Sequence, residues 1–164
     1  LFIVSLLIGM LARMRNQLAG ASTAVFSPFT QGLLVTAVIL SVAQEVMGTQ
    51  VRQQIDHLAW EMGYTDRSDW IAQLSVIFKV HRSFSIVVLL LNAYLIYRIY
   101  QSRTPLKEAY WLAGVLLVAI VTGIIMTYAG VPPWAQAFHL VLAAVMFGLQ
   151  FYMLLRYPAL TIRR

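Results

Sequence analysis

Two histidines at the mouths of apolar runs are the residues best placed to do chemistry. His81 lies in "FKVHRSF" (78–84) and His139 in "PPWAQAFHLVLAA" (132–144). Ionisable side chains inside apolar helices mark functional sites by default, and neutral imidazole is a common metal ligand. The third histidine, His57, falls in a polar stretch and reads as a plain loop residue. The chain has no cysteine, which excludes disulfides, iron–sulfur clusters and thiolate zinc sites. Zinc without cysteine would want three or four protein ligands. The one intramembrane carboxylate is Glu45, which reads as hydrogen-bonded to Gln44 or Gln50. Two imidazoles alone suit haem iron, which takes its axial ligands from opposite sides.

The elements that must position them follow from composition. Of the 164 residues, 60% are hydrophobic and 11% charged, and the mean hydropathy is +0.76. A soluble domain cannot hide that much apolar surface, so the expected class is an all-α membrane protein. Four runs of about 20 residues are each long enough to cross a bilayer: 29–48, 74–97, 109–129 and 134–155. Together they predict a four-transmembrane-helix bundle. Pro28 suits the first turn of the first span. In "GVPPW" (130–134) the glycine can end one helix and the prolines open the next. Residues 1–15 read as the tail of a preceding transmembrane helix and a cytoplasmic turn, and 16–164 as the four-helix domain. In "VRQQIDHLAWEMGYTDRSDW" (51–70), Leu58, Trp60, Met62 and Tyr64 predict a short outer-loop helix lying on the membrane face, with Trp60 and Trp70 near the headgroups.

Charge fixes the expected orientation. Arg13, Arg15, Arg98, Arg103, Lys107, Arg156, Arg163 and Arg164 gather on one side. Arg52, Arg67, Lys79 and Arg82 lie on the other, balanced by Asp56, Glu61, Asp66 and Asp69. The first side, with the C-terminus, is expected in the cytoplasm. This split explains the net charge of +6 without nucleic acid as a partner and leaves lipid as the expected one. The second and fourth spans then run in the same direction, and His81 and His139 enter from the same surface at similar depth.

That placement makes His81 and His139 candidate ligands of a haem iron. Haem brings two propionates, which need cations; Arg82, beside His81, and Arg52, at the outer end of the first span, could serve. Phe78, Phe84, Trp134 and Phe138 would line such a pocket, though they would equally fill any bundle core. Other readings stand beside this one. A lone membrane histidine can be only an interhelical hydrogen-bond donor, and Arg82 can simply snorkel. A stand-alone b-type cytochrome for electron transfer would use the same pair. A transporter would be expected to show interrupted helices, which these spans lack.

Three stretches, "GTQVRQQID" (48–56), "VHRSFS" (80–85) and "GVPPWAQAFHLVLAAVMFG" (130–148), resemble haem A synthase in order and spacing. The resemblance implies the C-terminal half of an eight-span protein made of two four-helix halves, in a bacterial plasma membrane. It implies bis-histidine ligation of a b-type haem cofactor by His81 and His139. It makes the N-terminal half of the same protein a partner, with haem O synthase a candidate second one. In that family the N-terminal half oxidises a methyl group of haem O to the formyl of haem A, for cytochrome oxidase assembly. That half carries a glutamate three residues before its first ligand histidine. Phe78 stands at that position here, so this chain alone is expected to be catalytically incomplete. Some short relatives act as dimers of one four-span unit; that route would need an acid, and Glu45 is the only intramembrane one.

Overall fold

A computed structural model describes residues 2–19, 26–65, 67–102 and 106–157. Asp66, Arg103, Arg163 and Arg164 of the charge pattern therefore lie outside the described residues. The helices are α1 (Phe2–Ala19), α2 (Pro28–Glu61), α3 (Arg67–Gln73), α4 (Val76–Gln101), α5 (Lys107–Tyr128) and α6 (Pro133–Arg156). No strand occurs among the described residues. Helices α2, α4, α5 and α6 are long and apolar enough to cross a membrane, and the chain is an all-α membrane protein.

The four spans form a ring in which α2 packs on α4, α4 on α5, α5 on α6 and α6 on α2. Neighbours are antiparallel, so α4 and α6 are diagonal and parallel. Helix α1 packs outside the ring, against α6. A Cβ on Gly148 would meet Ile8 at 3.1 Å, so the missing side chain lets the two helices close. Arg13 and Arg15, expected at a turn, lie on α1, and Arg15 stands over the Tyr152 ring.

Local chemistry sets the boundaries. Ser27 caps α2 by accepting from the Thr30 amide at 3.1 Å, with Pro28 in the first turn. Ser75 accepts from the Ile77 amide at the start of α4. The α5–α6 break follows the expected logic. Gly130 (φ +67) takes the left-handed position after α5, the Val131 amide reaches back to the Met126 carbonyl at 3.1 Å, and Pro133 opens α6.

The first span differs from expectation. It does not stop at Gly48 but runs unbroken for 34 residues to Glu61, about 51 Å against a hydrocarbon core of about 30 Å. The cause is a stripe at four-residue spacing. Val51, Ile55 and Ala59 bury against Trp70, Leu74 and Val131 in a small cluster at the α3 end of the bundle. Leu58, Trp60 and Met62 thus prolong or cap α2, and the separate short helix is α3. Trp70 is 1% exposed and donates to the Thr65 carbonyl at 3.0 Å, whereas Trp60 is 73% exposed. A larger core, with Leu34, Leu95, Ile99, Leu112 and Met153, fills the opposite half.

Candidate functional site

His81 and His139 lie five and six residues beyond the starts of α4 and α6, about 7.5 and 9 Å along the two axes. They face the bundle from diagonal helices, at one level, within electrostatic reach of each other. Both rings are half-buried.

Each ring is backed by the same device on the adjacent helix. A Cβ on Gly48 of α2 would come within 3.2 Å of Cε1 of His81, and one on Gly123 of α5 within 3.6 Å of Cε1 of His139. Four residues before each glycine a backbone carbonyl stands beside the ring: Gln44 for His81 and Ala119 for His139. A methyl group at Gly48 would press on the His81 ring, whereas one at Gly123 would stand in ordinary contact with His139.

The two sites differ in what else touches the ring. Nδ1 of His139 is 2.9 Å from the hydroxyl of Thr122. Nδ1 of His81 is buried without a partner. The Gln44 amide nitrogen lies 3.5 Å from Nε2 of His81 and donates to the His81 carbonyl at 3.1 Å.

Protein interiors are normally close-packed, but here the packing opens at the histidine level. Residues 42–50 of α2, 76–87 of α4, 123–128 of α5 and 136–141 of α6 include no buried residue. The two apolar clusters lie on either side of this level. Phe78 packs toward the α3-end cluster and Phe84 toward the larger one, so both line the interior as expected. Trp134 and Phe138 are instead exposed, at 60% and 47%.

The arginines take different places. Arg52 forms a salt bridge with Asp56 at 2.9 Å and donates to the side-chain oxygen of Gln136. Gln136 in turn donates to the Val131 carbonyl at 2.8 Å, which also accepts from Arg67 at 3.4 Å. This network ties α2, α3 and the first turn of α6 together one turn above His139. Arg82 is exposed, and its guanidinium makes no ion pair among the described residues.

Glu45 makes no bond to Gln44 or Gln50; its Oε1 is buried and unpartnered. His57 lies on α2, 3.4 Å from Glu61. It lines a shallow cavity of about 450 Å³ with Gln50, Gln53, Gln54 and Ile77, away from His81 and His139. Among the described residues no cluster of three or more His, Cys, Asp or Glu gathers.

Several contributors escaped the reading of the sequence. Gly48, Gly123, Gln44 and Thr122 give no sign of such a role by residue type alone. One signal was available. Asn92 follows His81 by eleven residues and Gln150 follows His139 by eleven. Eleven residues are three helical turns, so each amide shares its histidine's face. Both amides are 0% exposed, and Gln150 donates to Asn92 at 2.7 Å across the diagonal.

The fold and this level together define a four-span helical membrane bundle with two imidazoles turned inward from diagonal helices. Residues 1–151 match the model of the cytochrome oxidase assembly protein family, COX15-CtaA, and the chain belongs to that family. The match bears out the resemblance to haem A synthase and includes both histidines and both glycines. Comparison with curated proteins and with solved structures gave no match.

Proposed function

We propose that this chain is the cofactor half of a haem A synthase, holding a b-type haem between His81 and His139. It would support oxidation of the haem O methyl group to the formyl of haem A. The observation that carries this reading is the diagonal pair: two imidazoles at one level, each against a glycine, on helix stretches 42–50, 76–87, 123–128 and 136–141 that include no buried residue. Two imidazoles without a third protein ligand match what haem iron would take from the chain.

When bound, haem supplies one-electron exchange at its iron. The chain's own residues bind, orient and exclude water. Gly48 and Gly123 admit the rings, and Thr122 and Gln44 touch them. The cluster around Trp70 and Val131 shields the level from the α3-end surface. Arg82 is free to meet a propionate, while Arg52 shares its charge with Asp56 and serves best as a rim donor. Phe78 takes the position that the resemblance gives to the glutamate of the catalytic half, and it packs among apolar residues. The family membership favours this role over a stand-alone electron-transfer cytochrome. The charge split supports a plasma-membrane protein with its C-terminus in the cytoplasm, acting with an N-terminal half of the same protein.

The test is a reduced-minus-oxidised spectrum of the detergent-purified chain with pyridine haemochrome identification. A low-spin b-type signal lost in both His81→Ala and His139→Ala is expected. Unchanged haem content in both variants would overturn the assignment.

A further inference from the structure

We propose that Thr122 is a positioning residue: it holds His139 as the tautomer with its hydrogen on Nδ1 and leaves Nε2 as the free base. The weight of this for cofactor binding rests on His139 being an axial ligand; the tautomer itself does not.

The argument is a count of hydrogens. The Thr122 hydroxyl has one to give. Its oxygen lies 3.0 Å from the Val118 carbonyl and 2.9 Å from the Ala119 carbonyl, the usual back-bond of a threonine within a helix. With its hydrogen committed there, the hydroxyl meets Nδ1 of His139 at 2.9 Å through a lone pair. The nitrogen must then be the donor. Thr122 is itself buried, so water does not compete for either bond. Metal-bound histidines commonly donate their second N–H to such a partner, which sets the tautomer and the ring orientation.

The corresponding residue of α2, the one before Gly48, is Met47, which has no hydroxyl. His81 accordingly has an unpartnered Nδ1. The two imidazoles therefore differ at Nδ1: that of His139 meets the Thr122 hydroxyl and that of His81 has no partner.

The experiment is ¹⁵N NMR of the histidine-labelled full chain in detergent, with His139 assigned by its loss in His139→Gln. The parent is expected to show the Nδ1–H form. Thr122→Val, nearly isosteric, shifts His139 toward the Nε2–H form, and Thr122→Ser restores the parent pattern. A parent His139 in the Nε2–H form, a result that needs no variant to fold, overturns the proposal. So does Thr122→Val leaving the Nδ1–H form intact. In the haem-loaded chain Thr122→Val weakens haem retention by about tenfold and Thr122→Ser recovers it. A changed tautomer with unchanged retention would overturn the link to the cofactor. A chain that takes up no haem in any variant would defeat the haem reading and leave the tautomer result standing.

Discussion

A methyl group on Gly48 would arrive 3.2 Å from Cε1 of His81, and one on Gly123 3.6 Å from Cε1 of His139. The first distance requires the ring to give way; the second is ordinary contact. Alanine is favoured over glycine within a helix by up to about 1 kcal/mol. Gly123→Ala is therefore expected to keep or slightly raise the thermal stability and to keep the haem. Gly48→Ala displaces the His81 ring, and Gly48→Val displaces it further, with haem content falling in that order. Haem-to-protein ratios of the purified variants check this, and a Gly48→Val chain with full haem content would refute the close approach. The histidines were legible because ionisable groups stand out in an apolar run. Their supports were not, because a glycine or threonine in a membrane helix serves many packing roles, and only the partner helix says which.

At the scale of the helix, the Asn92–Gln150 bond ties the two diagonal helices together three turns below the histidines. Asn92 also donates to the Val88 carbonyl at 2.8 Å, so its orientation is fixed from its own helix. Asn92→Leu leaves Gln150 buried without its acceptor, and an unsatisfied buried amide costs about 1–3 kcal/mol. Replacing both residues with leucine should cost less than the sum of the single changes, by roughly 0.6 kcal/mol, the usual coupling of such pairs in membranes. A thermal-unfolding double-mutant cycle measures this, and strict additivity would show that the amides act separately. The four spans, their caps and the Gly–Pro break were readable from hydropathy and turn chemistry. The length of α2 was not. Its polar residues after Gly48 look like a loop, and the Val51–Ile55–Ala59 stripe acquires meaning only from Trp70, Leu74 and Val131, which arrive later in the chain.

For the whole molecule, closure of the bundle at the end opposite α3 depends on Tyr157. Its ring packs on Phe26 at 5.4 Å between centroids. Burial, and then the Glu108 carboxylate that accepts its hydroxyl hydrogen, push its pKa from 10.0 up to about 12. The folded state thus favours the neutral phenol. This contribution is fully present below about pH 10 and is lost as the pH rises toward about 12. Melting temperature followed through that window should fall more steeply in the parent than in Tyr157→Phe. Glu108→Gln should bring the ionisation of Tyr157 back down toward 10, read as tyrosinate absorbance against the Tyr157→Phe chain. Identical alkaline profiles in parent and Tyr157→Phe would remove Tyr157 from the closure. The overall class was clear from composition, because lipid is the only solvent that accepts so apolar a surface. The diagonal placement of His81 and His139 needed the ring order of the helices, which span lengths alone do not dictate.

The unbroken course of α2 has a mechanical consequence. Gly48, the wall behind the His81 ring, and Glu61, at the far tip, lie thirteen residues apart on one rod, about 20 Å with no joint between them. A rod without a joint is a lever. Whatever grips the projecting end holds a handle on the imidazole below, and tilting the tip moves the wall against which His81 rests.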